Sequence, residues 1–349
     1  EQVNADGSRT IFLGELSLDG GLRHTRGILP MVALAREENI DTIIVPEVDA
    51  REAAMIEGAR IIPVASLAQL VGYLQGEITI PEYKAGEADS DVYQPIMPFT
   101  DLAEIKGQEH VKRALEVAAA GGHNVIMNGP PGSGKTLLAR ALPSILPPMT
   151  GEEALEATKI YSVSGLLPAD TPMIRQRPFR APHYTISHAG LVGGGHWPRP
   201  GEISLSHRGV LFLDELPEFG HSLLEVLRQP LEDKVVTISR AQGTVTFPSS
   251  FMLVGAMNPC PCGYFGSDAR RCKCTPGQIG RYLSKVSGPL VDRIDIHIEV
   301  PAISFRKLRS KSSRLDSAAM RQDVVRAGGI QAKRFGDSKV RINARMSHK

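Results

Sequence analysis

The residues with the clearest chemical meaning in this 349-residue chain form a run that fits the phosphate-loop pattern G-x-x-x-x-G-K-[ST]. In order, they are Gly129, Pro130, Pro131, Gly132, Ser133, Gly134, Lys135 and Thr136. Lys135 is expected to reach the β- and γ-phosphates of ATP, and Thr136 to offer its hydroxyl to Mg²⁺. A strand predicted over 124–127 and a helix over 136–142 argue against an ordinary glycine-rich turn.

Two acidic residues follow a second apolar stretch, where a buried strand is predicted to end. Residues 210–213 are all apolar, and Asp214 and Glu215 come directly after them. In a nucleotide site Asp214 would hold Mg²⁺ through water, while Glu215 would orient the attacking water and remove its proton. Two solvated acids are the alternative interpretation. Together with the phosphate loop, the pair predicts an enzyme that hydrolyses a nucleoside triphosphate.

All four cysteines lie close together, in two C-x-C pairs. They are Cys260, Cys262, Cys272 and Cys274. Four thiolates are a ligand set that Zn²⁺ favours in a tetrahedral structural site. Because C-x-C spacing is less usual than C-x₂-C, disulfides or free thiols stay open as alternatives. The cysteines of a disulfide framework would be distributed along a chain of this length, whereas these four are clustered. The cluster therefore indicates a reducing compartment, the cytoplasm.

The elements that must position these residues follow an α/β pattern. Strand and helix patterns alternate through residues 1–80, and a second α/β block over 99–303 contains the phosphate loop and the cysteines. Residues 81–98 collect Pro, Gly, Asp and Glu, which predicts a linker. Residues 304–349 form a basic tail.

Composition excludes several classes of protein. A hydrophobic content of 42% and a charged content of 22% are close to globular averages, which excludes a disordered chain or a fibre. The apolar runs are far shorter than the ~20 residues of a membrane span, so we expect no membrane partner. The net charge of +2 conceals an asymmetry, since 13 Lys or Arg face three Asp in residues 304–349.

Further residues resemble motifs of the AAA+ ATPases. Residues 105–108 resemble the segment that packs near the adenine, and Asn258 matches a polar sensor residue of that superfamily. The run around Arg293 resembles the L-L-D-R-F segment of the magnesium-chelatase and MCM branch, whose arginine reaches the γ-phosphate of the neighbouring subunit. The resemblance implies this catalytic role for Arg293. A surface salt bridge with Asp292 or Asp295 is the alternative.

Longer segments narrow the resemblance to the magnesium-chelatase-like ComM/YifB family. These segments are 177–187, 193–195, 200–202, 206–209 and 258–264. The resemblance implies a phosphate-loop NTPase core over 99–303, with a parallel sheet and helices on both faces. It also implies that residues 1–80 are the C-terminal part of a Lon-protease-like domain and that 304–349 start a helical lid. The position of the Lon catalytic lysine falls at Leu29, which argues against proteolysis.

By this resemblance the chain is expected to belong to an ATP-driven, homo-hexameric ring that acts on single-stranded or branched DNA. The activity would be that of a helicase or branch-migration factor in natural transformation and recombination. A protein-remodelling or metal-chelatase-type motor without a DNA substrate is the alternative. The cysteines and the basic tail favour DNA. Because the chain begins with Glu1 and resembles only the start of a lid, we expect a fragment of the whole motor.

Several other residues are candidates for contact with DNA. Arg240 lies near the tip of a β-hairpin predicted over 235–247, where it would follow a phosphate backbone or simply be solvated. Trp197 follows three consecutive glycines and would stack on a base, although a packed aromatic is the favoured interpretation. Five cations near the cysteines fit either a solvated face or a DNA-binding surface. They are Arg270, Arg271, Lys273, Arg281 and Lys285.

Overall fold

The computed structural model of the chain describes residues 9–84, 100–167, 173–241, 243–267, 270–302, 316–336 and 342–346. The chain folds into two compact units. The first comprises Glu1–Ile96 and Thr150–Gln176, and the second comprises Met97–Met149 and Arg177–Lys349. Parts of the predicted linker and lid lie outside the described residues, namely 85–98, 304–315, 337–341 and 347–349.

In the described residues the strands are β1 Thr10–Phe12, β2 Glu15–Leu16, β3 Leu22–Arg23, β4 Thr42–Pro46, β5 Arg60–Val64, β6 Val125–Asn128, β7 Phe179–Arg180, β8 Gly193–Gly194, β9 Arg199–Pro200, β10 Val210–Leu213, β11 Val235–Arg240, β12 Gly243–Pro248, β13 Met252–Met257 and β14 Ile296–Glu299. The helices are α1 Ile28–Glu37, α2 Ala50–Ala53, α3 Leu67–Leu74, α4 Glu109–Gly121, α5 Lys135–Ala141, α6 Gly151–Ser164, α7 His188–Val192, α8 Glu202–Leu205, α9 His221–Glu225, α10 Arg228–Asp233, α11 Pro276–Leu283, α12 Gly288–Val291 and α13 Ser317–Phe335. Short 3₁₀ helices cover Glu47–Asp49, Leu102–Glu104, Leu142–Ser144, Leu216–Phe219 and Asn343–Arg345.

The first unit is built on a parallel sheet with the strand order β1-β4-β5. Successive side chains of a strand point to opposite faces, and both faces of this sheet are covered. Ile43 and Val45 pack against Ile28 of α1. On the other face Ile44 packs against Leu70 of α3. The alternating strands and helices predicted for this part of the chain are therefore confirmed.

A helix from the middle of the chain also belongs to the first unit. α6 packs on α1, and the Ser162 hydroxyl of α6 donates a hydrogen bond to Glu52 Oε1 at 2.6 Å. The backbone N–H of the fully buried Leu29 donates to the same oxygen at 3.1 Å. Burial raises the pKa of the Glu52 carboxyl, and the two donors oppose that shift. Residues 150–176, which the sequence analysis assigned to the ATPase core over 99–303, are thus grouped with N-terminal residues.

The second unit contains an all-parallel, five-stranded sheet with the strand order β14-β6-β13-β10-β7. Val210 and Phe212 join a core with α4, α5 and α13, while Leu211 and Leu213 alternate with them along β10 and are also buried. A strand buried on both faces gives a continuous apolar run, as in β10. Because the strands share one direction, the residues that follow β6, β10 and β13 meet at one edge of the sheet.

Two hairpins and the described part of the predicted lid complete the second unit. β8 pairs with β9, and β11 pairs with β12, which confirms the hairpin predicted over 235–247. α13 packs on α4, and the Gln331 side chain donates to the Ala120 carbonyl at 2.8 Å. None of the helices in the described ranges is long and apolar enough to cross a lipid bilayer.

Candidate functional site

The phosphate loop connects β6 to α5, as its flanking patterns predict. The Gly129 N–H donates to the Met257 carbonyl of β13 at 3.2 Å, which holds the start of the loop against the neighbouring strand. A Cβ atom on Gly129 would lie 2.1 Å from the Val300 carbonyl oxygen, so only glycine fits there. α5 begins at Lys135. The N–H groups in the first turn of a helix are available to an anion, and their partial charge favours phosphate.

Lys135 is buried at the centre of this site, with 8% of its surface exposed. Its ammonium donates to the carbonyls of Gly129 at 2.6 Å and Pro130 at 3.0 Å. It also donates to Asn258 Oδ1 at 3.2 Å. Burial lowers the pKa of Lys135, and the nearby carboxylates of Asp214 and Glu215 oppose that shift. The structure therefore brings the loop lysine and the predicted sensor residue into direct contact.

The two predicted carboxylates lie on the other side of the same site. The Thr136 hydroxyl donates to Asp214 Oδ2 at 2.7 Å, so the two groups expected at Mg²⁺ are already neighbours. The Glu215 N–H donates to Asp214 Oδ1 at 3.0 Å. Glu215 has φ 54° and ψ 47°, in the left-handed region that costs a non-glycine residue about 1–2 kcal/mol. Such a backbone conformation persists where the surroundings impose it, and it is frequent at functional sites.

Buried polar atoms without a partner among the described residues indicate that the loop fits a polar ligand. Ser133 Oγ and Gln108 Oε1 are two such atoms. The Gln108 amide nitrogen donates to the Pro301 carbonyl at 2.7 Å and, more weakly, to the Ser133 carbonyl at 3.4 Å. In the sequence Gln108 stands out only as part of the segment 105–108, because its contact with the loop joins residues 25 positions apart.

Arg293 lies apart from this cluster. Its guanidinium forms an ion pair with Glu232 in α10 and donates to the Pro289 carbonyl. Its backbone carbonyl accepts a hydrogen bond from the Asn124 side chain at 2.9 Å. Asn124 precedes β6, whereas the phosphate loop follows β6, so Arg293 is at the opposite edge of the sheet. The alternative pairing with Asp292 or Asp295 is not the one that the structure shows.

The four cysteines come together as the sequence predicts. Their sulfurs all lie within 4.8 Å of one another. The Sγ atom of Cys260 lies 3.4 Å from that of Cys262 and 3.7 Å from that of Cys272. The Sγ atoms of Cys262 and Cys272 are 3.6 Å apart. These are free thiols. Zn–S bonds of about 2.3 Å in a tetrahedron put the sulfurs about 3.8 Å apart, so the cluster fits a tetrahedral metal ion.

The protonation of the thiols supports the same fit. Backbone N–H groups of Lys273 and Tyr264 lower the pKa of Cys262 to about 6. The backbone of Cys262 lowers the pKa of Cys274, but burial and the thiols of Cys262 and Cys260 outweigh it and raise that pKa to about 12. One thiol thus loses its proton easily, and its negative charge opposes deprotonation of the next thiol. A bound cation removes that repulsion, which explains why such a set is suited to a metal.

Two of the candidate DNA-contact residues, Trp197 and Arg240, occupy the two hairpins. Trp197 lies in the turn between β8 and β9 and is 69% exposed, contrary to the favoured interpretation of a packed aromatic. The His196 ring contacts it edge-on, with ring centroids 6.0 Å apart. Arg240 ends β11, and its guanidinium lies beside Gly194 of β8, within 3.0 Å of where a Cβ atom would be. The structure therefore brings the exposed tryptophan loop and the arginine hairpin together.

Two of the five cations near the cysteines have aromatic or acidic partners. Arg270 lies over the ring of Tyr264, 5.3 Å from its centroid. Lys285 forms an ion pair with Glu218 at 3.1 Å and lies 5.7 Å from the centroid of Tyr282. All three partners are on the same chain, so these two cations are part of the local structure around the cysteines.

A phosphate loop after β6, a carboxylate pair after β10 and an amide after the intervening β13 define a nucleotide-binding protein of the phosphate-loop class. Residues 101–308 match the family model of magnesium chelatase, subunit ChlI, and residues 1–49 match a model of subunit ChlI of Mg-chelatase. The chain belongs to this family of AAA+ proteins. The family and the α/β fold class expected from the sequence are thereby confirmed.

Curated relatives match almost the whole chain. An uncharacterized protein of Mycobacterium tuberculosis is 42% identical over 339 residues, 97% of this chain and 66% of the relative. Competence protein ComM of Haemophilus influenzae is 42% identical over 341 residues, 97% of this chain and 65% of that protein. YifB of Salmonella typhimurium is 40% identical over 350 residues, 99% of this chain and 66% of that protein. The chain thus spans about two thirds of the length of these relatives.

Proposed function

We propose that the chain hydrolyses ATP with Mg²⁺ as part of a ring-shaped motor that acts on DNA. The observation that carries the ATPase proposal is the convergence of five side chains at one edge of the parallel sheet. They are Lys135, Thr136, Asp214, Glu215 and Asn258. The direct contacts of Lys135 with Asn258 and of Thr136 with Asp214 support a single site. Phosphoryl transfer needs mainly positioning and charge stabilisation, which these groups supply.

Each side chain has a defined task in this proposal. Lys135 exchanges its carbonyl partners for β- and γ-phosphate oxygens, and Thr136 and Asp214 hold Mg²⁺, which neutralises phosphate charge when bound. Glu215 orients the attacking water and accepts its proton. Asn258 keeps its hydrogen bond to Lys135 and turns its amide toward the transferred phosphate.

The position of Arg293 supports a ring. Five residue steps separate Asn124, which binds Arg293, from Gly129, and at about 3.3 Å each they span roughly 16 Å. An arginine side chain on the far edge does not reach that distance, so a catalytic Arg293 would have to act on the phosphates of the next protomer. A cation supplied in trans is worth about 10³–10⁵ in rate. By analogy with ring ATPases we propose a homo-hexamer.

Three features support DNA as the substrate. One relative is named a competence protein, and the tail from residue 304 onward has a net charge of +10. Trp197 is exposed in the turn between β8 and β9, and Arg240 lies beside Gly194 of the same hairpin, a combination that allows base stacking and phosphate contact. We therefore propose helicase or branch-migration activity in transformation and recombination. The family description favours a second candidate, a chelatase-type or protein-remodelling motor that does not need DNA.

We also propose that the four cysteines hold Zn²⁺ as a structural ion. The free thiols and their spacing support this metal. Thiolate ligation in place of disulfides is consistent with a reducing compartment, the cytoplasm.

The ATPase rate with and without forked DNA, over a series of salt concentrations, tests the DNA proposal. We expect DNA to stimulate hydrolysis, and DNA binding to weaken steeply with salt, by about 0.7–0.9 log units per phosphate contact per log unit of salt. Glu215→Gln is the matched control, because it should bind nucleotide and DNA without hydrolysis. Hydrolysis without DNA stimulation or salt-sensitive binding would favour the second candidate, and no hydrolysis at all would refute both.

A further inference from the structure

The loop that carries the cysteines packs against the phosphate loop at Gly263. Gly263 has φ +84°, and a Cβ atom there would lie 2.6 Å from Cδ and 2.7 Å from Cγ of Pro131. No side chain fits at such distances, so the Gly263 backbone packs directly on the third residue of the phosphate loop. The same Cβ atom would be 3.7 Å from Asn258 Cγ, the predicted sensor.

The cysteine loop is attached to the nucleotide site at both of its ends. It begins at Asn258, whose side chain binds Lys135. It ends at α11, where the buried Tyr282 is hydrogen-bonded to the backbone of Asn258. Beyond that helix Lys285 pairs with Glu218, three residues after the catalytic Glu215. A change in the conformation of the loop would therefore shift residues that would contact nucleotide.

Secondary structure does little to fix this loop. Between β13 and α11 the described residues form no helix or strand. What holds them includes the buried Cys260, whose carbonyl accepts from the Gly263 N–H at 2.9 Å and whose sulfur accepts from the Phe265 N–H at 3.3 Å. Gly263 is thus positioned through a cysteine of the cluster, and ligation of the four sulfurs would fix it.

We infer that the four-cysteine site positions the phosphate loop, with Gly263 on Pro131 as the mechanical link. Binding of a soft divalent cation to the four thiolates then holds the phosphate loop in the form that accepts nucleotide. Gly263 is a positioning residue in this inference, not a catalytic one. The inference deepens the proposed function and rests on it, since it assumes that the phosphate loop binds nucleotide.

Two glycines of the same loop provide a matched test. Gly266 also has positive φ, +70°, but a Cβ atom there would meet no described heavy atom within 4 Å. Bound zinc per chain and the Kd for a fluorescent ADP analogue with Mg²⁺ are measured for Gly263→Ala and Gly266→Ala. We expect both variants to bind one zinc, and only Gly263→Ala to raise the Kd, by about tenfold. In a Pro131→Ala background, where space is available, Gly263→Ala should change the Kd by less than about threefold.

A second measurement uses the unmodified chain, in case Gly263→Ala disturbs folding. Zinc is removed with a chelator, the chelator is dialysed away and Mg²⁺ is restored. We expect the Kd for the ADP analogue to rise by a factor similar to that for Gly263→Ala, and to recover when zinc is added. An unchanged Kd in zinc-loaded Gly263→Ala, an unchanged Kd in the zinc-free chain, or a wild-type chain that binds no zinc would overturn the inference. If the zinc-loaded wild type and Gly266→Ala bind no nucleotide, the proposed function itself is refuted.

Discussion

Mixing two inactive variants tests whether Arg293 serves the neighbouring protomer. Arg293→Ala retains the phosphate loop and Glu215, whereas Glu215→Gln retains the arginine. Each variant alone should hydrolyse ATP far more slowly than the wild type, by about 10³–10⁵-fold for loss of the arginine. If Arg293 acts in trans, a site works only where an Arg293→Ala protomer receives the arginine of a Glu215→Gln neighbour.

The magnitude follows from the geometry of the sheet and the symmetry of a ring. Roughly 16 Å of sheet separates Asn124, which binds Arg293, from the phosphate loop of the same chain, so in the proposed ring each active site would need two protomers. In a random equimolar mixture half of the sites retain Glu215, and half of their neighbours supply the arginine, so about a quarter of the sites work. We expect steady-state ATP hydrolysis to peak near a quarter of the wild-type rate at equal amounts.

Wild-type protein mixed with the Glu215→Gln/Arg293→Ala double variant is the control. A trans arginine makes activity fall with the square of the wild-type fraction, to about a quarter at equal amounts, whereas a cis arginine leaves about half. A single-variant mixture that stays at baseline at every ratio, together with a linear control, would refute the role of Arg293 and with it the argument for a ring.

Three further outcomes follow from named contacts. Because burial lowers the pKa of Lys135 below its usual 10.5, and bound phosphates would keep it protonated, affinity for an ADP analogue should fall about tenfold per pH unit above that lowered pKa. An affinity that is constant up to pH 10.5 would contradict this. Glu52→Ala would leave the buried donors of Leu29 and Ser162 unpaired, which costs about 1–3 kcal/mol for each donor. The free energy of unfolding, measured by urea denaturation, should therefore fall by about 4 kcal/mol. Because the folded-state pKa of Glu52 is raised above 4.5, this residue should make wild-type stability fall as pH rises from 4.5 through that pKa, and Glu52→Gln should lack this component. Single-stranded DNA should quench the fluorescence of Trp197, the only tryptophan, and Trp197→Ala should weaken binding by about 1–3 kcal/mol. An unquenched signal during saturable DNA binding would exclude stacking.

The features that could be predicted from the sequence are those encoded in consecutive residues. A phosphate loop requires its glycines and lysine at fixed spacing, and a parallel strand buried on both faces requires an unbroken apolar run, as in 210–213. β6, β10 and α5 follow those patterns. The helical pattern over 51–58 gives only a short helix, since α2 ends at Ala53 and the chain turns at Gly58, which has φ 78°.

Contacts between residues far apart in sequence could not be predicted in this way. The acid that pairs with Arg293 is Glu232, 61 positions earlier, and nothing local to either residue indicates the other. Likewise, the apolar pattern of α6 would suit either unit, and only its packing on α1 and the bond from Ser162 to Glu52 group it with N-terminal residues. The three glycines before Trp197 are typical of a loop, but the exposure of its ring was not the favoured interpretation, because aromatic residues are more often packed.

The two cations proposed for catalysis differ in how firmly the chain holds them. Lys135 is buried and has three oxygen partners, so it gives up its two carbonyl partners only for the stronger charge of phosphates. Arg293 has an acidic partner, Glu232, that is 55% exposed, and an ion pair of this kind contributes about 0–1 kcal/mol. Moving the arginine from Glu232 to a neighbour's phosphate therefore costs little, whereas moving the lysine away from its loop costs much more. The proposed ring would require this difference, with a fixed cation in the phosphate site and a releasable one for the neighbouring protomer.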